Sequence, residues 1–316
     1  MPRPDLEDVL PLRWHDDSGL PDLTAYLAEL AASVDVTVVD DSAGELFERH
    51  HGAWGPPVRH LRPEPWPGRN GKVRNVMTGV RRARHAVVVI ADDDVRWDAS
   101  GLGRVPELMR GVDLLVPQNV FTEWPWHARW DTARQLLNRA FGGDYPGTLV
   151  VRRENLARRG YDGDVLFENL ELMRTVAAGG GRVRREPGLY VGRRAPVPGH
   201  FWSQRVRQAY DDFAQPLRLA VEAALLPVVA LLVRRRRWGA VAGLALAGVL
   251  TAEAGRRRAG GAAVFPRSAS WWAPAWLAER AVCVWLAIGL RLVGGVRYGD
   301  GRILRAATSY GGRRDV

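Results

Sequence analysis

Short β-branched apolar runs recur along the first two-thirds of the chain, and two of them stop abruptly on acids. Val36-Thr-Val-Val39 ends in Asp40-Asp41, and Ala86-Val-Val-Val-Ile-Ala91 ends in Asp92-Asp93-Asp94. Runs of this length and composition predict buried strands. Leu10 to Trp14 is a candidate first strand, Leu23 to Ala32 has helical spacing, and Val73 to Arg84 follows a glycine-flanked polar loop as a second helix-like stretch. Leu114 to Gln118 reads as a further strand, and Pro56 to Pro67 as a Pro-rich connection. After Gly179-Gly-Gly181 the pattern predicts a helix stop and a returning strand. Strand, helix, strand, loop, helix, strand in that order predicts an α/β fold with a mainly parallel sheet and crossover helices.

The pattern changes near residue 217. Leu217 to Val233 is apolar apart from Arg218 and Glu222, and it ends in Arg234-Arg-Arg-Arg237. Trp238 to Ala254 follows, then Arg256-Arg-Arg258, then Ala273 to Val296, interrupted by Glu279, Arg280 and Arg291. None is an uninterrupted span of about 20 apolar residues. Three in succession, with arginine clusters and the Trp271-Trp272 pair between them, predict membrane insertion or deep interfacial association. The chain is therefore expected to hold a catalytic domain over 1–215 and a membrane-associated helical region over 216–316, with two or three short apolar helices and a basic tail.

Charge and cysteine content narrow the classes. The net charge is +10, but the arginines are scattered or flank apolar segments, which suits anionic lipid headgroups. No nucleic-acid-binding motif and no zinc spacing is present, so nucleic acid is not an expected partner. Cys283 is the only cysteine and excludes an intramolecular disulfide. The early acids and the lack of an apolar stretch at the N-terminus do not read as a secretory leader.

Carboxylates at a strand's carboxyl end would lie in the crevice where open α/β sheets bind ligands. Hard oxygen donors there suit Mg²⁺ or Mn²⁺, and such an ion can neutralise a diphosphate leaving group. Lys72 is the only lysine of the chain, and it falls inside the loop Gly68-Arg-Asn-Gly-Lys-Val-Arg-Asn75. Backbone N–H groups at a helix start beside an ammonium favour a phosphate or a carboxylate. Taken singly, each of these features is also compatible with a solvated turn.

VVDDSAG, GRNGKVRN and VVVIADDD, in this order and spacing, resemble family 2 glycosyltransferases with the GT-A fold, over roughly residues 8–215. The resemblance implies that Asp40 or Asp41 contacts the nucleotide base, and that Gly71, Lys72 and Asn75 border the nucleotide pocket. It implies that Asp92 and Asp93 meet the nucleotide sugar and that Asp92 and Asp94 hold the metal. Gly147 to Arg153 has the strand pattern that precedes the acceptor helix in these enzymes. Phe167 to Arg174 resembles the family's Glu-Asp-x-x-Leu-x-x-Arg segment, with Asn169 at the usual base position. An amide has no basic state near neutral pH. Glu168 is the nearest substitute, with Asp164 and Glu171 behind it, and Glu171 reads as a surface position of an amphipathic helix. Gln204 and Arg207 fit the family's Gln-x-x-Arg-Trp motif, with Gln208 in place of tryptophan, which implies a cap on the diphosphate end of the site. The aromatic segment Phe121, Trp124, Trp126, His127, Trp130 lies toward the acceptor side in family terms, or packs as ordinary core.

The general pattern looks like the ceramide glucosyltransferase-type branch, and the resemblance implies inverting transfer of a sugar from a nucleotide-diphosphate sugar to a hydroxyl of a lipid or lipid-linked acceptor. The setting is expected to be a bacterial cell membrane, with the catalytic domain cytoplasmic, where such donors are made. Pro227 and its limited length favour a re-entrant or interfacial first apolar segment, the other two forming a hairpin. Two further classes stay open: a membrane-tethered nucleotide-binding pseudoenzyme, given Asn169 and Gln208, and a metal-dependent phosphotransferase or phosphohydrolase.

Overall fold

The computed structural model describes residues 4–299 and 301–308. Along the chain run β1 (Leu6–Leu12), α1 (Leu20–Ser33), β2 (Asp35–Asp40), α2 (Gly44–Trp54), β3 (Val58–Leu61), α3 (Gly71–Arg82), β4 (Val87–Ala91), β5 (Val95–Arg96) and α4 (Ala99–Leu108). They are followed by β6 (Leu114–Phe121), α5 (Trp126–Ala140), β7 (Thr148–Arg152), α6 (Arg153–Ala157), α7 (Glu168–Ala178) and β8 (Val183–Arg193). The remainder is α8 (Pro198–Ser203), α9 (Arg205–Tyr210), α10 (Pro216–Arg234), α11 (Trp238–Arg257), α12 (Gly261–Val264), α13 (Ala273–Leu292) and the hairpin β9 (Val296–Tyr298) and β10 (Gly301–Ile303). Two compact units divide these elements. Of the described residues, the first takes 4–119, 145–193 and 308, and the second 120–144, 194–299 and 301–307.

The first unit is built on a sheet of order β3-β2-β1-β4-β7-β6-β8-β5. The first four strands are parallel, whereas β7 runs antiparallel to β4 and to β6, and β5 antiparallel to β8. One face buries Leu23, Leu27 and Leu30 of α1 with Leu102 and Val105 of α4. The other buries Val73, Val76, Met77 and Val80 of α3 with Leu172 and Val176 of α7. Strands covered on both faces read as continuous apolar runs, which is why β2 and β4 were legible.

Two expectations needed correction. The first strand is Leu6–Leu12 rather than Leu10 to Trp14, because it carries Glu7 and Asp8 into the interior. Glu7 is accommodated by Thr37 Oγ1 at 2.6 Å and Arg59 Nη2 at 2.7 Å, so the charge does not break the strand. The Pro-rich connection contains β3, paired in parallel with β2 at the sheet edge. Its prolines flank the paired residues and so remove no ladder bond.

The second unit is helical. Helix α11 meets α5 at Gly255, where a Cβ would fall 1.9 Å from the Leu136 carbonyl oxygen. Trp126 and Trp130 of α5 pack with Phe201 and Trp202 of α8, and Trp130 also with Trp272. The aromatic segment thus serves the packing of this unit. Three helical stretches, Pro216–Arg234, Trp238–Val264 and Arg267–Leu292, are long and apolar enough to cross a membrane, with mean hydropathies of 2.0, 1.3 and 1.3.

Candidate active site

The acidic triplet begins where β4 ends. The register Ala91↔Thr148 sets Gly147 opposite Asp92, whose N–H donates to the Gly147 carbonyl at 3.3 Å. A Cβ on Gly147 would stand 2.4 Å from Asp92 Oδ2, so glycine is what lets this carboxylate occupy its position. Asp92 Oδ1 pairs with Lys72 Nζ at 2.5 Å, and the same ammonium lies 2.7 Å from Glu168 Oε1.

Local structure explains why these three meet. Asn70 caps α3, its Oδ1 accepting from the N–H groups of Lys72 and Val73 at 3.0 and 3.4 Å. The same side chain donates to the Val165 carbonyl at 2.8 Å, and the Asn70 N–H donates to the Gly163 carbonyl at 2.8 Å. A Cβ on Gly163 would lie 2.3 Å from the Pro67 carbonyl oxygen, so the two loops run in backbone contact. This seam carries the start of α7, with Glu168 as its first residue, to the start of α3, where Lys72 sits. Burial alone would lower the Lys72 pKa; Asp92 and Glu168 outweigh it and hold the ammonium above the ordinary lysine value.

Asp93 accepts from Trp14 Nε1 at 2.5 Å, and burial, then the neighbouring Asp94, push its carboxyl up. The register Val95↔Arg193 places Arg193 beside Asp94, whose Oδ2 accepts from Arg193 Nε at 2.7 Å. Asp94 Oδ1 is buried with no hydrogen-bond partner. That orphaned oxygen, close in sequence to the Asp92 carboxylate, fits a hard divalent cation. Among the described residues no three His, Cys, Asp or Glu side chains form a metal cage. An ion on Asp92 and Asp94 would complete its shell from phosphate oxygens and water, as Mg²⁺ commonly does.

The acids ending β2 are unequal. Asp40 is fully buried: His50 Nδ1 lies 2.6 Å and His60 Nε2 3.1 Å from its Oδ2, and the Ser42 N–H donates to Oδ1 at 2.8 Å. Burial would raise its carboxyl, but the bonds from His60, His50 and Ser42 outweigh that and bring it down to about 2. Asp41 is partly exposed, with Arg74 Nη2 at 2.6 Å and Arg13 Nη1 at 3.8 Å, and Gly71 adjoins it. Asn75 is buried and donates to the carbonyls of Leu12 at 3.0 Å and Val39 at 3.3 Å, pinning the ends of β1 and β2.

Near the start of α7, the Asn169 amide donates to the Pro146 carbonyl at 3.1 Å. Glu171 is not the surface residue expected. It is buried and accepts from Thr308 N–H and Oγ1 at 2.7 and 2.9 Å. Asp164 is exposed and receives the Arg69 N–H at 3.2 Å. Gln204 and Arg207 belong to the helical unit, where Arg207 stacks 5.2 Å over the Tyr298 ring. The first unit thus joins Lys72, Asp92 and Glu168 directly. Gly147, Arg193, Asn70 and Trp14 were missed by sequence reasoning. Arg193 is hidden by the abundance of arginine, and the others are recognisable only through strand register or loop contact.

The segment that carries the acids at the carboxyl ends of β2 and β4 is the part of the chain for which a family model is matched. Residues 36–124 match the model of glycosyl transferase family 21, which the ceramide glucosyltransferase-type branch fits. Solved structures similar to the chain include a mannosyltransferase, PcManGT, from Pyrobaculum calidifontis in complex with GDP-Man and Mn²⁺. It is 18% identical, with 90% of this chain and 87% of that one covered and a TM-score of 0.49. Another is glucosyl-3-phosphoglycerate synthase from M. tuberculosis, 20% identical, with 61% and 72% covered and a TM-score of 0.41. A third is mannosyl-3-phosphoglycerate synthase from Rubrobacter xylanophilus, 16% identical, with 63% and 69% covered and a TM-score of 0.41. No curated protein matches the sequence.

Proposed function

We propose that this protein transfers a sugar, with inversion, from a nucleotide-diphosphate sugar to a hydroxyl of a lipid or lipid-linked acceptor at the cytoplasmic face of a bacterial membrane. The observation that carries the reading is the Lys72 ammonium held between Asp92 at the end of β4 and Glu168 at the start of α7. It brings a diphosphate-compatible cation, a candidate metal ligand and a candidate base to one place. The three apolar stretches of the helical unit support a membrane-borne acceptor.

Asp41, rather than the sequestered Asp40, is the acid left to meet the base, with Gly71 alongside. Asp92 and Asp94 would hold Mg²⁺ or Mn²⁺, which supplies charge neutralisation to a leaving diphosphate when bound. The Glu168 carboxylate, 2.7 Å from Lys72 Nζ, would accept the acceptor's hydroxyl proton. Asn169 has no such capacity, and its amide holds the loop at Pro146. Asp93, with Trp14 on its carboxylate, lines the donor side. For Gln204 and Arg207, residues of the helical unit, the resemblance implies a diphosphate-capping role.

Nucleoside diphosphate release tests the reading, using protein in nanodiscs with a panel of nucleotide sugars, Mn²⁺ or Mg²⁺, and bacterial lipid extract. Acceptor-dependent release should fall at least about a hundredfold in Asp94→Asn and in Glu168→Gln, a general base contributing 10²–10⁴. The amide at position 169 favours one second reading, a nucleotide-binding pseudoenzyme. Metal-dependent nucleotide binding without release across the whole panel would establish that reading instead.

A further inference from the structure

The length of an apolar helix does not by itself decide whether it crosses a bilayer; what matters is which of its sides the folded unit leaves for lipid. In α13, Glu279 and Arg280 lie part-way along the helix and are engaged by polar neighbours. Arg280 is fully buried with Nη1 3.1 Å from Asp212 Oδ2. Glu279 accepts from Trp130 Nε1 at 2.9 Å and lies 3.7 Å from Arg205 Nη1, which is also 3.2 Å from Asp131 Oδ1. The middle of α13 therefore packs on α5 and α9, helices rich in charged and polar residues. Its outward side presents Val282, Trp285 and Leu286, with Leu292 seven residues beyond Trp285 on the same face. A helix covered by polar structure on one side and apolar on the other suits an interface plane rather than a crossing.

The α10–α11 hairpin is limited in another way. At its base Arg218 Nε contacts Asp212 at 3.0 Å and Glu222 at 2.9 Å, and Glu222 is buried. From Glu222 to Arg234 the helix axis advances about 18 Å, and from Trp238 to Glu253 about 22 Å. A hydrocarbon core is about 30 Å thick. The tip is Arg234-Arg-Arg-Arg237, all four exposed, followed by Trp238 at 60% exposure. Inserted upright, this hairpin would leave four guanidiniums deep in hydrocarbon, which is strongly unfavourable. Tilted into one leaflet, it places them among anionic headgroups with Trp238 at the level that tryptophan favours.

We propose that the helical unit is seated in a single leaflet of anionic lipid, with the α10–α11 hairpin and the outward face of α13 immersed and none of the three helices crossing. This goes beyond the transferase reading and does not depend on it. In a Cys283→Ala background, Arg235→Cys, Arg267→Cys and Arg297→Cys mark the hairpin tip and the two ends of the α13 region. An impermeant maleimide applied to intact and then permeabilised spheroplasts should give all three the same sidedness. A site that differs from the other two overturns the proposal. Independently, R234Q/R235Q/R236Q/R237Q changes only exposed positions. It should weaken flotation with phosphatidylglycerol vesicles at least about tenfold, since each basic residue near such a surface contributes about 1 kcal/mol. Unchanged flotation, as permanently spanning helices would give, counts against it as decisively.

Discussion

Asp40 and Asp41 are adjacent in sequence yet have opposite fates. Asp40 is enclosed by two imidazoles, whereas Asp41 keeps arginine partners at a partly exposed position. The acids at the strand end were legible because they stop an apolar run. Which of them is enclosed was not, because His50 and His60 arrive from α2 and β3. Asp8 is a sharper case. Both of its oxygens are buried without a hydrogen-bond partner, and burial, then Glu7, raise its carboxyl to about 8. The unfolded chain loses this proton near pH 4 while the folded chain keeps it to about 8. The fold therefore loses stability as pH rises across that window. Asp8→Asn, which cannot ionise, should raise the melting temperature, with a gain that grows from pH 5 to pH 9. A pH-independent difference in thermal melts would refute this account.

At the scale of elements, strands and helices followed from apolar periodicity, but the seam that builds the site did not. Two glycine-containing loops, 67–70 and 163–165, meet backbone to backbone, and Asn70 links them while capping α3. Glycine and asparagine in loops are commonplace, so nothing local marks these as partners across 95 positions. Removing a cap side chain costs about 0.5–2 kcal/mol. Asn70→Ala, which also frees the Val165 carbonyl, should cost about 2 kcal/mol in urea denaturation, and Asn70→Asp should recover the capping part. Equal losses in both variants would show that the Val165 bond alone matters.

At the scale of the molecule, the chain leaves its sheet unit at residue 120, returns at 145 and leaves again at 194. Composition alone suggests a single division near 215, because the change there is from mixed to apolar. Segment 120–144 joins the helical unit through contacts that composition does not encode, such as Asp131 with Arg205 and Trp130 with Glu279. Inside that unit the charges of α10 and α13 neutralise one another around Arg280. Breaking a buried pair costs about 3–5 kcal/mol because it strands the remaining charge. Arg280→Met should lower thermal stability in detergent accordingly, and adding Asp212→Leu should restore much of it. Additive losses in the double variant would mean that the two residues are not coupled.

By itself the sequence determined the α/β class, most of the strands and helices, the acidic strand ends, the lone lysine and the apolar C-terminal stretches. These are local properties, written in periodicity and in residue chemistry over a dozen positions or fewer. The tertiary structure alone decided which acid is sequestered, that Glu171 lies inside, that Gly147 makes room for Asp92, and that Lys72 bridges to Glu168. It also decided that the charges within the apolar helices have partners. Each of these is a meeting of distant segments, set by strand register and loop contact, and such pairings leave no trace in the composition of either segment taken alone.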